Sequence, residues 1–300
     1  MLADLPWLAN FSMAVLGLLT GSFLNVVIHR LPIMMQRQWA RDCADLNGNT
    51  QAVPETARDT ARDTASFNLL LPRSHCPHCG HAIAWHENIP VLSYLLLRGR
   101  CSQCKTAISP RYPAVEVVTA LLFASAAALH GASWLGLAWS AFCALLVALF
   151  LIDMDTQLLP DDLNYLLLWL GLVLAALGWN IPLKSAVWGA VLGYLSLWSV
   201  FQLHHLLTGK VGMGHGDFKL LAALGAWFGA EQLIAIILLS SLVGSVLGGV
   251  LLLVGRLSHK DIPIAFGPFL AGAGLLLFVL GPQQLAKWLP FAFPFAFPIT

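Results

Sequence analysis

Apolar residues in this chain gather into long runs separated by short polar breaks. Eight runs have the length or the setting of membrane-spanning helices, at approximately 8–28, 113–131, 134–152, 163–180, 185–207, 217–230, 232–255 and 264–282. A bilayer core takes about 20 helical residues, so the run at 217–230 is short for a straight crossing. It is expected to lie partly buried among other helices, where irregular backbone is tolerated. Small residues recur in GLLTGS, LVGSVLGG and LAGAG, a pattern that lets membrane helices approach closely. The pattern predicts an all-α polytopic membrane protein with about eight transmembrane helices.

Composition agrees: 58% of the 300 residues are hydrophobic and only 10% are charged, against roughly a quarter charged in soluble domains. The net charge of +1 provides no global basic field and argues against nucleic acid as a partner. The placement of the charges is more informative. Asp4 stands where a cleavable signal would carry positive charge, and Asn25, His29 and Arg30 follow without a convincing cleavage site. The first apolar run is therefore read as a retained membrane helix. Residues 30–112 hold 10 of the 16 Lys and Arg residues. With that region cytoplasmic, alternation also places Lys210, Lys219, Arg256 and Lys260 inside, leaving only Lys184 and Lys287 outside. Long loops obey the positive-inside rule less strictly, but the short loops alone give the same orientation, with both termini extracytoplasmic.

The 30–112 region has two parts. Residues 42–66 carry a tandem ARDT repeat with Pro, Asn and Gly nearby, which reads as a flexible or weakly helical spacer. Downstream are CPHCG and CSQC: Cys76, Cys79, Cys101 and Cys104, with 21 residues between the pairs. Two C-x2-C knuckles at this spacing suit tetrahedral thiolate zinc. Disulfides and thiol redox chemistry are the alternatives. A cytoplasmic setting disfavours the first, and the surrounding pattern lacks the βαβ frame of the second. Four thiolates leave no open position for water, so the expected role is structural. His75, His78, His81 and His86 read as polar surface residues rather than ligands, and Cys43 and Cys143 as ordinary thiols.

Acids are scarce, and two places stand out. The third run ends at Ile152 and is followed by DMDTQLLPDDL, which sets Asp153 and Asp155 at its cytoplasmic end. Asp161 or Asp162, after Pro160, reads as the cap of the fourth helix. GMGHGDFKLL then puts Asp217 at the cytoplasmic start of the sixth run. Asp217 could simply cap a helix beginning at Phe218. A cap needs only one small polar residue, however, not the glycines that flank His215, which allow close approach of another chain or positive φ. Two carboxylates far apart in sequence reach one membrane depth on one side. An aspartic protease needs that arrangement: a pair sharing a proton, one acid activating water while the other protonates the departing group.

GHGD matches the G-x-G-D signature of intramembrane-type aspartic proteases, and the chain resembles the bacterial type IV prepilin peptidase family. GSFLNVVIHRLP (21–32), the paired cysteines, ENIPVLSYLLLRGRC (87–101) and RYPAVE (111–116) resemble that family's amino-terminal domain. LIDMDTQLLPD (151–161), GMGHGDFKLL and IAFGPFLA (264–271) resemble its peptidase domain. The resemblance covers roughly residues 15–275 and leaves out the ARDT spacer and the FAFPFAFP tail. The family's first catalytic aspartate precedes a Leu/Ile-Pro pair by six and seven positions, which fits Asp153 with Leu159 and Pro160 but not Asp155. The second is the aspartate of GHGD, Asp217.

The resemblance implies further properties. The substrates would be type IV prepilins and type II secretion pseudopilins, cut before a residue that is usually Phe. The new amino terminus would then be methylated with S-adenosylmethionine. Composition and spacing show nothing of that second activity, and no residue is assigned to the methyl donor. The implied organisation is residues 1–112 as first helix plus tetra-cysteine region, associated with methylation and extending to about 130. Residues 113–283 form the membrane-embedded peptidase, and 284–300 a hydrophobic Phe/Pro tail. The enzyme would sit in the bacterial inner membrane with its active site facing the cytoplasm. Two other classes fit parts of the pattern. A transporter using intramembrane acids would prefer them near the midplane, whereas these lie at helix ends. A zinc-stabilised scaffold would need no dyad at all.

Overall fold

The structure, a computed structural model, describes residues 6–46, 67–209, 213–253 and 265–288. The ARDT repeat, Asp4, Lys210, Gly212, Arg256, Lys260 and residues 289–300 of the tail lie outside the described residues. Helix is the regular structure throughout those residues, joined only by two isolated β-bridges. The chain divides into two compact units, residues 1–124 and 125–300.

In the first unit, α1 spans Pro6–Leu46 and α3 spans Arg111–His130, with a short α2 at Leu92–Leu96 between them. Helix α1 is 41 residues long, not the 21-residue span expected to end near residue 28. At 1.5 Å per residue it extends about 60 Å, twice a bilayer core. Its extension has a compositional cause: IMMQRQWARDCADL (33–46) is dominated by good helix formers, so the helix propagates after the apolar run ends. Pro32 sits inside it at the cost of one backbone donor. The first five residues of the expected spacer, 42–46, are thus helical. Helices α1 and α3 touch through small residues, as the GLLTGS pattern predicts. A Cβ on Gly17 would lie 2.7 Å from the Ala120 Cα, and one on Gly21 would lie 2.7 Å from the Glu116 Cα. Buried Arg30 ties the chain that enters the cysteine region back onto α1, donating to the carbonyls of Asn68 at 3.0 Å and Pro72 at 2.6 Å.

The second unit contains α4 (Trp134–Thr156), α5 (Asp161–Ala176), α6 (Leu183–Thr208), α7 (His215–Phe228), α8 (Leu233–Leu253) and α9 (Gly267–Trp288). Among the described residues, six helices are long and apolar enough to cross a membrane: α1, α3, α4, α6, α8 and α9, with the α8 span starting at Ala230. Helices α5 and α7 account for the difference from the expected eight, having 16 and 14 residues. Helix α7 is about 21 Å long and is buried for nearly its whole length, from Asp217 to Trp227. It is packed by α5, α6, α8 and α9, which is the setting its short apolar run predicts.

Glycine makes that sheath possible. Gly189 of α6 and Gly225 of α7 place backbone against backbone, and a Cβ on Gly193 would meet the Leu221 carbonyl at 2.6 Å. At its far end α7 enters an aromatic core in which Trp227 lies 4.7 Å from both Trp139 and Phe142, ring centre to ring centre. The buried Trp227 indole N–H donates to the Leu167 carbonyl at 2.9 Å. Aromatic packing and a satisfied donor therefore fix one end of α7, and the other end carries Asp217.

Candidate active site and metal centre

Helix α4 continues one turn past Ile152, so Asp153 lies inside its last turn rather than after it. Gln157, at φ 55°, ends the helix and donates its N–H to the Asp153 carbonyl at 2.9 Å. Helix α7 starts at His215, not Phe218, with Gly214 in the N-cap position. Asp217 is accordingly not the cap but the third helical residue. Its N–H donates to the Gly214 carbonyl at 3.3 Å, and its carboxylate accepts from the Gly214 N–H. That is one half of a capping box, made with a residue that has no side chain to complete the other half. Asp161 also corrects the expectation of a cap: Pro160 holds the N-cap position, and Asp161 and Asp162 fall in the first turn of α5.

Asp153 and Asp217 are both buried, 4% and 6% exposed, and close enough to interact electrostatically. Asp155, the candidate rejected on spacing, is exposed. Burial is what separates two neighbouring aspartates on the same helical turn. A third strand of backbone completes the surroundings. The N–H of Gly267, the first residue of α9, donates to the Asp153 carboxylate, and a Cβ on Gly267 would stand 2.5 Å from the Asp153 Oδ2. Leu159, from the connection between α4 and α5, reaches both sides. Its Cδ1 lies 2.9 Å from the Cβ position of Gly267, and its Cβ lies 2.6 Å from that of Gly216. Among the described residues, the Asp217 Oδ1 has no hydrogen-bond partner. Buried polar atoms are ordinarily paired, so an acid held this way is ready to bond to something that is not part of the chain.

The sequence pointed to Asp153, Asp217 and the IAFGPFLA stretch, but gave Gly267 and Leu159 no role beyond motif membership. Their part is steric, and a one-dimensional pattern carries no signal for which glycine abuts which carboxylate.

The four cysteines converge as their spacing predicts. Cys76, Cys79, Cys101 and Cys104 place their sulfur atoms within 4.8 Å of one another. The Cys76 and Cys104 Sγ atoms are 3.7 Å apart, close to the ~3.8 Å edge of a tetrahedron with metal–sulfur bonds of about 2.3 Å. The donor set and its spacing fit a tetrahedral thiolate metal. The two pairs are built alike. His75 bridges Ala82 and Arg100 bridges Ala107, at the same offsets from Cys76 and Cys101. Each loop turns through one left-handed residue directly after its second cysteine, Gly80 at φ 70° and Lys105 at φ 60°. The Cys104 thiol is pulled down to about 6 by hydrogen bonds from the Thr106 hydroxyl and N–H. For Cys79 the His81 N–H pulls the other way, but desolvation and the neighbouring sulfurs push the thiol up to about 11. Protons unevenly held by four crowded thiols are what a metal displaces.

The histidines stay out of the cluster, as expected. His81 instead lies 3.2 Å from Glu87. Hydrogen bonds to the Ser102 hydroxyl first, then to the Ala84 N–H and His81, hold the Glu87 carboxylate at about 2. Glu87 thereby joins one cysteine loop to the other, a connection invisible in the spacing. Cys143 is fully buried in α4 and Cys43 is exposed on α1.

A third buried acid went unnoticed in the sequence. Glu116 of α3 is 8% exposed, accepts from the Val91 N–H at 2.7 Å and bonds the Ser22 hydroxyl. Asn25 reaches the Tyr112 carbonyl nearby at 3.1 Å. Val91 itself sits at φ 57°, a conformation that strains a β-branched residue by roughly 1–3 kcal/mol. Three separate stretches of the first unit, 21–32, 87–101 and 111–116, therefore meet at one carboxylate.

The comparisons with known proteins divide the chain in a similar way. Residues 15–130 match the bacterial peptidase A24 N-terminal domain and residues 140–249 match the type IV leader peptidase family. A prepilin leader peptidase/N-methyltransferase of Stutzerimonas stutzeri is 52% identical over 281 residues, 93% of each chain. The chain belongs to the type IV leader peptidase family. Other relatives carrying the same description are those of Aeromonas salmonicida, 49% identical over 95% of this chain and 94% of its own, and Pseudomonas aeruginosa, 51% identical over 92% of each. No solved structure matches the chain. Both the tetra-cysteine cluster and the Glu116 junction fall within the N-terminal match. Of the carboxylate site, Asp153 and Asp217 fall within the leader peptidase match, whereas Gly267 lies beyond it.

Proposed function

We propose that this protein cleaves the leader peptides of type IV prepilins and type II secretion pseudopilins, and then methylates the new amino terminus. The observation that carries the peptidase reading is the buried pair Asp153 and Asp217 at facing helix ends, in a family described by leader peptide cleavage. In this reading the two carboxylates hold one proton between them. The charged member draws a proton from a water molecule, which attacks the scissile carbonyl. The protonated member gives its proton to the carbonyl oxygen; the member that took the water's proton then passes it to the departing amine as the C–N bond breaks, and a hydroxyl proton of the tetrahedral intermediate returns to the first carboxylate. The Gly267 N–H fixes Asp153, and the unpaired Oδ1 of Asp217 is free to bond the attacking water.

The family described by prepilin peptidase and N-methyltransferase suggests two activities, and the first unit is the place we assign to the second, chiefly residues 21–32 and 71–116. S-adenosylmethionine would supply the methyl group. Glu116 gives that unit a buried carboxyl group that could attract a cationic sulfonium donor or take the proton that the amino terminus must lose before its free amine accepts the methyl group. Zinc is the metal we assign to Cys76, Cys79, Cys101 and Cys104, as a structural ion that holds the two loops together. We further read α5 and α7 as the remaining two of eight membrane segments. The chain would lie in the bacterial inner membrane with the dyad facing the cytoplasm, and with residues 113–283 as the peptidase and 284–300 as an apolar tail.

That placement suits the substrate. A prepilin presents a short basic leader in the cytoplasm and a long apolar helix in the bilayer, so its scissile bond lies at the interface. Cleavage of a full-length prepilin by the purified protein tests the reading. Asp153→Asn and Asp217→Asn should each abolish it while the protein stays folded, and strong cleavage by either variant rejects the dyad.

A further inference from the structure

Leu159 touches the surroundings of both aspartates, through Gly267 beside Asp153 and Gly216 beside Asp217. It lies on the connection between α4 and α5, outside any helix, where nothing in the local backbone would hold it. Two residues later, Asp161 makes an ion pair with Lys219, two residues after Asp217. The Lys219 ammonium donates to both carboxylate oxygens, at 2.7 and 2.6 Å, and rests 5.3 Å from the centre of the Tyr165 ring. Capping α5 does not account for this geometry, because Asp161 spends both oxygens on another helix.

We propose that Leu159 is the wedge that sets the separation of Asp153 and Asp217, and that the Asp161–Lys219 pair is the clamp that seats it. This rests on the dyad reading above. All three are positioning residues: none touches the reacting atoms. As a contribution to stability the clamp is minor, since its side chains are 52% and 24% exposed and such pairs contribute about 0–1 kcal/mol. As a device for geometry it is large, because misplacement by about 1 Å can cost on the order of 100-fold in rate. A small effect on folding beside a large effect on turnover is the signature that separates positioning from scaffolding.

The test uses full-length protein in detergent or nanodiscs with a prepilin substrate. Lys219→Met, Asp161→Asn and Leu159→Ala should each lower kcat about 10-fold or more, normalised to folded protein, with KM within roughly threefold of wild type. Lys219→Arg should keep most of the activity. The exchanged pair Asp161→Lys with Lys219→Asp should recover a large part of what either single change loses. Thermal unfolding should move little in the clamp variants. If kcat is unchanged in the clamp variants, or if it falls only in proportion to lost stability with no recovery in the exchanged pair, the proposal is overturned. The dyad reading fails separately: it falls if Asp153→Asn or Asp217→Asn still cleaves, and stands if those are dead while the clamp variants are wild type.

Discussion

Replacing Gly267 by alanine adds one methyl group at a position where the structure leaves no room for it. The new Cβ would stand 2.5 Å from the Asp153 Oδ2, 3.2 Å from its Cγ and 2.9 Å from the Leu159 Cδ1. Carbon makes ordinary contacts at about 3.5 Å and beyond, so the carboxylate or the helix end must give way by roughly 1 Å. Both close neighbours belong to the site, and relief by either one moves an acid or the wedge beside it. Overpacking of this kind costs about 1–3 kcal/mol of stability, which a large helical unit survives. The same displacement at a reacting group can cost on the order of 100-fold in rate. Gly267→Ala should therefore fold, melt somewhat earlier and cleave prepilin about 100-fold more slowly. Gly272→Ala, one turn and a half along α9, is the control, because its Cβ would meet only Phe150, at 3.9 Å, and should leave cleavage near wild type. Both are measured by single-turnover cleavage of a purified prepilin alongside thermal unfolding. Turnover by Gly267→Ala within threefold of wild type would refute the reasoning, since the carboxylate would then tolerate displacement or not need its place.

Asp155→Asn should retain most cleavage, in contrast to its buried neighbour Asp153; equal loss in the prepilin assay would mean that exposure does not separate them. Purified protein under reducing, non-chelating conditions should hold one zinc per chain, and serine at Cys76, Cys79, Cys101 or Cys104 should each lower that content, read by elemental analysis. Glu116→Gln should reduce methylation of precut pilin more than leader cleavage, while Asp153→Asn should leave methylation of precut pilin nearly intact; parallel loss of both reactions would argue for a single inseparable site.

Much of the fold was legible because lipid imposes length. Runs of apolar residues marked α3, α4, α6, α8 and α9 to within a few residues, and α9 breaks at Gly281 (φ 74°, ψ 158°) before Pro282, where the run was expected to stop, with a further helical stretch beyond the kink to Trp288. The same signal failed where composition and secondary structure part company. Helix α1 continues past its apolar run because Met, Gln, Arg and Ala sustain a helix in water as well as in lipid, and hydropathy sees only the lipid part. The N-terminus of α7 was misplaced by three residues for a different reason. Two glycines in HGD are poor helix formers, yet tertiary packing draws them into the first turn, with Gly216 against Leu159. The cysteine cluster was legible because a metal site needs specific residue types at fixed local spacing. Gly267 and Lys219 act on partners more than 50 residues away, and no local spacing records that.

The short α7 also shows how a chain of this family can bury two acids at helix ends. A carboxylate facing lipid has no polar partner and is costly to keep there, whereas one facing bulk water is solvated and loses the interaction with its neighbour. A helix sheathed by other helices, with its acid a step inside an exposed start, avoids both. Gly189, Gly193 and Gly225 let α6 and α7 approach at backbone distance, so α7 is surrounded by protein rather than lipid. Its length is then set by the protein core and not by the bilayer, which is why 14 residues suffice. Gly214 and His215 at the start of α7 are exposed, but Asp217, two residues after His215, is buried, and among the described residues its Oδ1 has no hydrogen-bond partner. Asp153 is buried as well, in the last turn of α4. Helix termini leave backbone groups unpaired, and here the N–H groups of Gly214 and Gly267 are turned onto the two acids. The glycines of GHGD and FGPF serve different ends: Gly267 brings its N–H to Asp153 where a Cβ would stand 2.5 Å from the acid oxygen, whereas Gly216 leaves room for Leu159, and a Cβ on Gly214 would meet the Asp217 Oδ2 only at 3.8 Å.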